Sequence, residues 1–421
     1  DGSSEIVYTS RTGRVLATTL AGVPVFDYDA GSQLLFSPVI ATIDASGTDK
    51  VLAHALNGDL HAINPNGTPV SGFPVNLGSA YFTEIAAADL DGDCVMEIIA
   101  GTTNGNLHVL DGAGNPKPGF PVATFGSISG APTVLDNGKI ALGTNTRLLL
   151  ISPGGEILVN KEISAAMASG PVLADLDGDE ALEIIFVTIS GKLYAVDQTG
   201  NDLSGFPLEL GAVFNAPPLV ANLDGGTAPE ILVSSNINSV FAYNHDGSPL
   251  GGYPFITSYN GTTPGTICDL DNDGMLKLVS GYSTGVLVLN LRSAAGGCLP
   301  WATYRGSLKR QGSHAAACYL PASDPAVPAP ADKLLQNYPN PFNPSTTIAF
   351  ETAEPGDARL SVFNLKGQLV RDLRSGHLPQ GRHQVVWDGL DNGGTAVSSG
   401  MYLYRLQTRA NSITKRMLLL K

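Results

Sequence analysis

A chain of 421 residues, 43% of them apolar, is long enough for two or three domains with a large core and is globular rather than disordered. Its formal charge of -14 is split: residues 1–332 carry 13 Lys and Arg against 32 Asp and Glu, and residues 333–421 carry 11 against 6. An acidic body argues against nucleic acid as a partner and suits bound cations, and no apolar run approaches the roughly 18 residues of a membrane-spanning helix.

Internal similarity dominates the first three quarters of the chain. Units open at Ser37, Thr83, Ser169, Asn215 and Thr262, and a shortened one opens at Gly130. Phe-Pro pairs at Phe73, Phe120 and Phe206, and Tyr253-Pro254, recur in the same phase, with a period of about 42 to 47 residues. Each unit reads as four short strands: an apolar opener, a segment such as "EIIAG", one such as "GNLHVLD", and "GFPV" after a polar turn. Near-continuous apolar runs such as that from Glu183 to Val187 suit strands covered on both faces. One such sheet cannot bury both faces alone, so the units are expected to stack radially as blades of a β-propeller.

The opening stretch fits the same template only from its middle. Glu5 aligns with Glu97, which puts Asp1 on Asp93, so the first strand of that unit is expected to lie upstream of Asp1, together with any signal peptide or catalytic domain. Counting this partial unit predicts seven blades over residues 1–319.

Between the first and second strands of two units lies the pattern D-x-D-x-D-x-x-x-E. Asp89, Asp91, Asp93 and Glu97 carry it in one, with the Val95 carbonyl at position seven. Asp175, Asp177, Asp179 and Glu183 carry it in the other, with the Ala181 carbonyl. Four clustered carboxylates repel one another unless a cation joins them. Three short carboxylates, a carbonyl and a long carboxylate form an oxygen cage, which fits a hard divalent ion with six to eight ligands. Calcium is expected, since magnesium takes fewer protein ligands and more water.

Other copies are incomplete. Asp269, Asp271 and Asp273 precede Lys277 at position nine, whose ammonium can offset a carboxylate internally. Asn222, Asp224 and Glu230 keep part of the cage, with Gly226 at position five, and Thr42, Asp44, Ser46 and Lys50 keep almost none. In the shortened unit Asn137-Gly138 replaces the loop, a pair that favours a tight primed hairpin turn. Loss of the loop to ordinary turn chemistry implies that the ion's role is structural.

On these motifs, residues 1 to about 315 resemble the FG-GAP/VCBS-type calcium-binding β-propellers, similar to integrin α-subunit heads and many secreted bacterial proteins. "SGKLYAVD" also resembles quinoprotein-dehydrogenase blades, but the tryptophan-docking motif of that family is missing and the chain has two Trp, Trp301 and Trp387.

The repeat ends at "CLPWATYRGSLKRQGSHAAACY". Trp301 to Arg305 resembles the stretch that caps the last blade in similar propellers, and Lys309, Arg310 and His314 are expected on a solvated cap. Cys298 and Cys318 flank this segment and are expected to form a disulfide, the alternative being four buried free thiols; no CxxC pair suggests zinc. A Pro/Ala-rich linker is expected over 320–332.

Residues 333–421 read as short strands with turns, with Tyr402, Tyr404 and Leu406 on one face, which predicts a small antiparallel sandwich. Tyr338 to Pro344, Asn364 to Gly367, Trp387-Asp388-Gly389, Ser399-Gly400 and Lys415 to Lys421 resemble the FlgD-like Ig-type module and the C-terminal sorting domains of type IX secretion substrates. That resemblance implies export across an outer membrane by such machinery and a surface or extracellular location.

The seven His are scattered, and His61 and His108 occupy the repeat position of Tyr194, so packing explains them. No HExxH or Cys/His nucleophile signature is present. The expected fold is all-β, a seven-bladed propeller with a C-terminal Ig-like sandwich. The expected function is non-catalytic: calcium-stabilised binding of a protein or glycan, adhesion, or self-assembly. The alternative is the accessory C-terminal region of a secreted hydrolase or polysaccharide lyase.

Overall fold

The computed structural model describes residues 4–78, 83–226, 228–257, 263–271, 273–282, 285–294, 299–307, 309–314, 332–335, 337, 339–352, 355–364, 366–379, 381–409 and 412–420. The chain forms two compact units, Ser3–Ala322 and Ser323–Lys421. Cys298 and Cys318 lie outside the described residues, as does most of the expected linker.

Among the described residues, the larger unit carries seven antiparallel meander sheets in chain order. The third runs through Ala86–Ala88, Glu97–Gly101, Asn106–Leu110 and Val122–Ala123, and the fifth through Val172–Ala174, Glu183–Val187, Lys192–Val196 and Leu208–Glu209. The first sheet has three strands, Glu5–Thr9, Arg14–Thr19 and Pro24–Asp29, and begins at the strand equivalent to Glu97–Gly101. The last has Gly265–Cys268, Met275–Tyr282 and Gly285–Ala294.

First strands of consecutive sheets touch one another, so these short segments converge while the outer strands splay apart. Runs such as Ala86-Ala87-Ala88 and Val172-Leu173-Ala174 are apolar and fully buried. In the second to fifth sheets the second strands are buried throughout, as in Glu183–Val187, because those sheets are covered on both faces by their neighbours. The Gly of the "GFP" phase has a packing reason. At Gly72, Gly119 and Gly205 φ is +88° to +93° and a Cβ would lie 2.0–2.1 Å from a carbonyl oxygen of the next sheet's turn, at Ala113, Gly154 and Asp246. The X–Pro bonds that follow, Phe73-Pro74, Phe120-Pro121, Phe206-Pro207 and Tyr253-Pro254, are all cis.

The hairpin at Asn137-Gly138 departs from expectation. Asn137 does not have positive φ, Gly138 alone does at +75°, and the bonds run from Gly138 N–H to Leu135 O and from Leu135 N–H to Lys139 O. This is a three-residue turn with glycine at the left-handed position, not the primed two-residue form. Asp136 adds the extra residue that lets Asn137 stay in the right-handed region.

The closing segment does more than cap the last sheet. Trp301 exchanges both backbone bonds with Val220 in the sixth sheet, and Ala302 O accepts from Ile267 in the seventh. Lys309 O accepts from Ile40 in the second, Gln311 O from Ala87 in the third, and Gly312 O from Val134 in the fourth. The segment therefore runs among the first strands and satisfies edge N–H groups of five sheets. Arg305 is buried on this path, its Nη2 donating to Ile85 O at 2.9 Å with Glu84 nearby. Lys309 pairs with Asp49 at 3.0 Å and Arg310 donates to Ser37 Oγ at 2.7 Å, so these two cations fasten the segment to the second sheet rather than project from a cap.

The C-terminal unit packs a three-stranded sheet, Lys333–Leu334, Thr346–Thr352 and Gly381–Trp387, with a four-stranded one ordered Leu369–Leu378, Gly356–Asn364, Gly400–Gln407 and Ser412–Leu419. Tyr402, Tyr404 and Leu406 all point into the core with Ile348, Phe350, Val362 and Trp387. Tyr404 hydroxyl donates to Leu335 O at 2.8 Å and accepts from Asn337 N–H at 3.0 Å, which satisfies its polar end inside the core.

Candidate metal-binding loops

The acidic loops share one frame. Each connects the first and second strands of a sheet, and the residue at position nine pairs with the residue just before position one: Ala88 with Glu97, Ala174 with Glu183, Ala221 with Glu230, Cys268 with Lys277 and Ala41 with Lys50. The position-nine side chain is buried in all five, whether Glu or Lys. The strand register thus carries a charge inward under every loop, and the loop must supply its partner.

In the Asp175–Glu183 loop, ligand oxygens of Asp175, Asp177 and Glu183 lie within 4.8 Å of one another. Asp175 is held in place by Gly178 N–H at 2.7 Å and Glu180 N–H at 3.1 Å, and Glu183 Oε2 accepts from Leu176 N–H at 2.7 Å. Asp179 lies outside that trio; its Oδ1 accepts from Ala181 N–H at 2.8 Å, within the loop itself. Among the described residues, no cationic side chain pairs with these carboxylates. Burial, and then the charges of Asp177, Asp179 and Asp175, push the Glu183 carboxyl up to about 7.

The Asp89–Glu97 loop repeats this frame. Asp89, Asp91 and Glu97 converge within 4.8 Å, Asp89 accepts from Gly92 and Cys94 N–H at 2.7 and 2.9 Å, and Asp93 accepts from Val95 N–H at 2.8 Å. Here a cation is already present. Lys117, on the turn before the outermost strand, places Nζ 2.6 Å from Asp91 Oδ2 and 3.0 Å from Glu97 Oε1. That hydrogen bond holds the Asp91 carboxyl below its ordinary range, while burial still raises Glu97.

Two of the incomplete copies, in the second and seventh sheets, settle their charge with an internal lysine. Lys277 Nζ bonds Asp271 and lies 2.7 Å from Asp273. Asp269 takes Asp273 and Gly274 N–H at 3.0 Å, and the three carboxylates again lie within 4.8 Å. Lys50 Nζ sits among Asp44 at 3.1 Å, Ser46 Oγ at 3.0 Å, and Thr48 O and Oγ1 at 3.0 and 2.6 Å, where a metal ion would sit in a full loop. In the sixth sheet Asn222 turns its amide into the loop, donating to Gly226 O at 2.6 Å, while Asp224 accepts from Gly226 N–H and Glu230 from Leu223 N–H at 2.5 Å.

An all-oxygen donor set on a glycine-bearing turn fits a hard cation such as calcium. Asp175, Asp177 and Glu183 offer that set without an internal counter-ion; Asp89, Asp91 and Glu97 offer it around Lys117. The sequence motif alone did not reveal Lys117. The available signal was the alignment of Lys117 with Val70, Leu203 and Leu250, three apolar residues at the same step before "GFP" or its equivalent.

Among solved structures, the larger unit's fold has β-propeller relatives. BamB from Moraxella catarrhalis aligns at 20% identity over 68% of this chain and 79% of its own, with a TM-score of 0.50. The BBS1N chain of its complex with ARL6DN aligns at 14% identity over 70% of this chain and 89% of its own, with a TM-score of 0.49. PorZ, described as a surface component of the type-IX secretion system of Porphyromonas gingivalis, aligns at 13% identity over 97% of this chain and 56% of its own, with a TM-score of 0.42. No curated protein sequence matches the chain. Residues 339–412 match the FlgD Ig-like domain family. The chain is an all-β protein in which a β-propeller precedes a C-terminal FlgD Ig-like domain.

Proposed function

We propose that this protein is a non-catalytic, calcium-stabilised β-propeller of the FG-GAP/VCBS type, exported through its C-terminal domain to the cell surface or medium. There it would bind a protein or glycan, or assemble with copies of itself. The observation that carries the calcium reading is the convergence of Asp175, Asp177 and Glu183 within 4.8 Å with no paired cation among the described residues. Bare carboxylates at that spacing destabilise a fold, and a divalent ion reverses the sign. The role of the ion is to brace the connection between first and second strands. Export by type IX-like machinery is supported by the tail motifs and by the FlgD Ig-like match over 339–412.

Thermal unfolding with calcium and with excess chelator tests the first part. Calcium should raise the melting temperature of the intact chain but not of Asp177→Asn; equal curves for the intact chain would defeat it. Expression in a host with type IX secretion tests the second, since deletion of residues 333–421 should leave the propeller inside the cell.

A further inference from the structure

The two loops that match the full acidic pattern are not equivalent. Lys117 reaches into one of them across the sheet, and its backbone occupies a site repeated in four sheets. Lys117 N–H donates to Val109 O as Val70 does to Ala62 O, Leu203 to Ala195 O and Leu250 to Ala242 O. Lys117 O accepts from Phe120 N–H as Val70 O does from Phe73, Leu203 O from Phe206 and Leu250 O from Tyr253. At the three sibling positions the side chain is apolar and joins or packs against the local core. Only in the third sheet does this slot hold an ammonium, and there it bonds two of the three converging carboxylates.

A lysine in this slot costs the packing of an apolar side chain and gains a resident positive charge where a metal would sit. The second and seventh sheets reach the same end by another route, with Lys50 and Lys277 at position nine. A cationic side chain among the loop carboxylates is therefore a recurring solution in this molecule, supplied from two different backbone positions.

We propose that Lys117 is a built-in counter-cation that closes the Asp89–Glu97 loop without metal, so that the Asp175–Glu183 loop is the one that depends on calcium. This rests on the calcium reading given above, and it identifies the residue that decides whether a full acidic pattern takes the ion. A lysine ammonium and a divalent ion cannot share the Asp91 and Glu97 oxygens, because like charges a few ångströms apart repel.

The test exchanges the two slots in the full chain. Lys117→Leu installs the sibling residue and should raise calcium stoichiometry by one site per chain. It should also make the third sheet's stability sensitive to chelator. Leu203→Lys should place an ammonium beside Asp177 and Glu183 and remove the original site, leaving a folded protein whose melting no longer responds to calcium. Isothermal titration with calcium chloride and terbium luminescence read the stoichiometry, and melting curves verify folding. If the intact chain binds at both loops and Lys117→Leu adds nothing, the inference falls and the calcium reading stands. If neither the intact chain nor Lys117→Leu binds calcium, both fall. Should Lys117→Leu fail to fold, Asp177→Asn in the otherwise intact chain decides: loss of all tight calcium binding supports the inference, and a retained tight site overturns it.

Discussion

Glu183→Gln is expected to move stability in opposite directions depending on calcium. In the metal-free protein, the Glu183 carboxyl titrates near 7 against an ordinary value of 4.5. Between those values the unfolded chain has released its proton while the folded chain keeps it. The folded state then binds more protons, and stability falls as pH rises through that window. The full gap corresponds to about 3 kcal/mol. Water around the exposed Asp177 screens part of the repulsion, which leaves about 1–2 kcal/mol at pH 8.

The amide introduced by Glu183→Gln would keep an acceptor for Leu176 N–H and carry no charge, so in chelator at pH 8 the variant should melt about 2–4 °C higher than the parent. At pH 4.5 the difference should shrink towards zero. With calcium at about a hundred times its dissociation constant, the parent gains about 2.7 kcal/mol, and the variant, lacking the buried carboxylate, should forfeit most of that and melt lower. Calorimetry at both pH values, with and without calcium, reads all four numbers. A variant that melts lower than the parent in chelator at pH 8 would refute the premise that Glu183 is an uncompensated buried charge.

Arg305→Met should destabilise the larger unit by about 3 kcal/mol or more, measured by denaturant unfolding, because it leaves Ile85 O unpaired and Glu84 without its neighbouring charge. Lys50→Met should cost about 1–2 kcal/mol by stranding Asp44, Ser46 and Thr48, and added calcium should not restore it, since Asp44 is the one carboxylate at a ligand position and Asp49 is paired with Lys309 and Thr42. Glu180→Gly should stabilise the metal-free protein by about 0.5–1 kcal/mol, because Glu180 holds φ +70° at position six, where the seventh sheet has Gly274 at +81°. Thermal melts in chelator check both of these values, and melts with added calcium check that Lys50→Met is not rescued.

Much of the architecture was legible because it is periodic. A strand-loop-strand unit written over and over averages out local ambiguity, and the Phe-Pro phase, the acidic loops and the alternation of Tyr402, Tyr404 and Leu406 each point to one arrangement. What escaped the sequence has a common cause, namely contacts between segments whose separation has no period. Lys117 lies 20 residues beyond Glu97 in an ordinary polar turn, and its charge reaches the loop only after the sheet has folded the turn back over it. The closing segment offers no strand pattern of its own, since its backbone bonds are borrowed from five different sheets. The Asn137-Gly138 pair misled for a local reason: the dipeptide favours a two-residue reversal, but Asp136 lengthens the connection by one.

The path of residues 301–314 changes how the repeats depend on one another. A stack of repeats in an open array can lose its last member and keep the rest, each unit being answerable only to the next. Here the end of the repeat region is stitched into sheets two, three, four, six and seven, so its removal would strip hydrogen-bond partners from members far apart in the chain. Trimming from this end is therefore not a graded loss but a failure of the whole wheel. During synthesis, the early sheets must wait, with their inner edges unfilled, until Trp301 and the residues after it emerge.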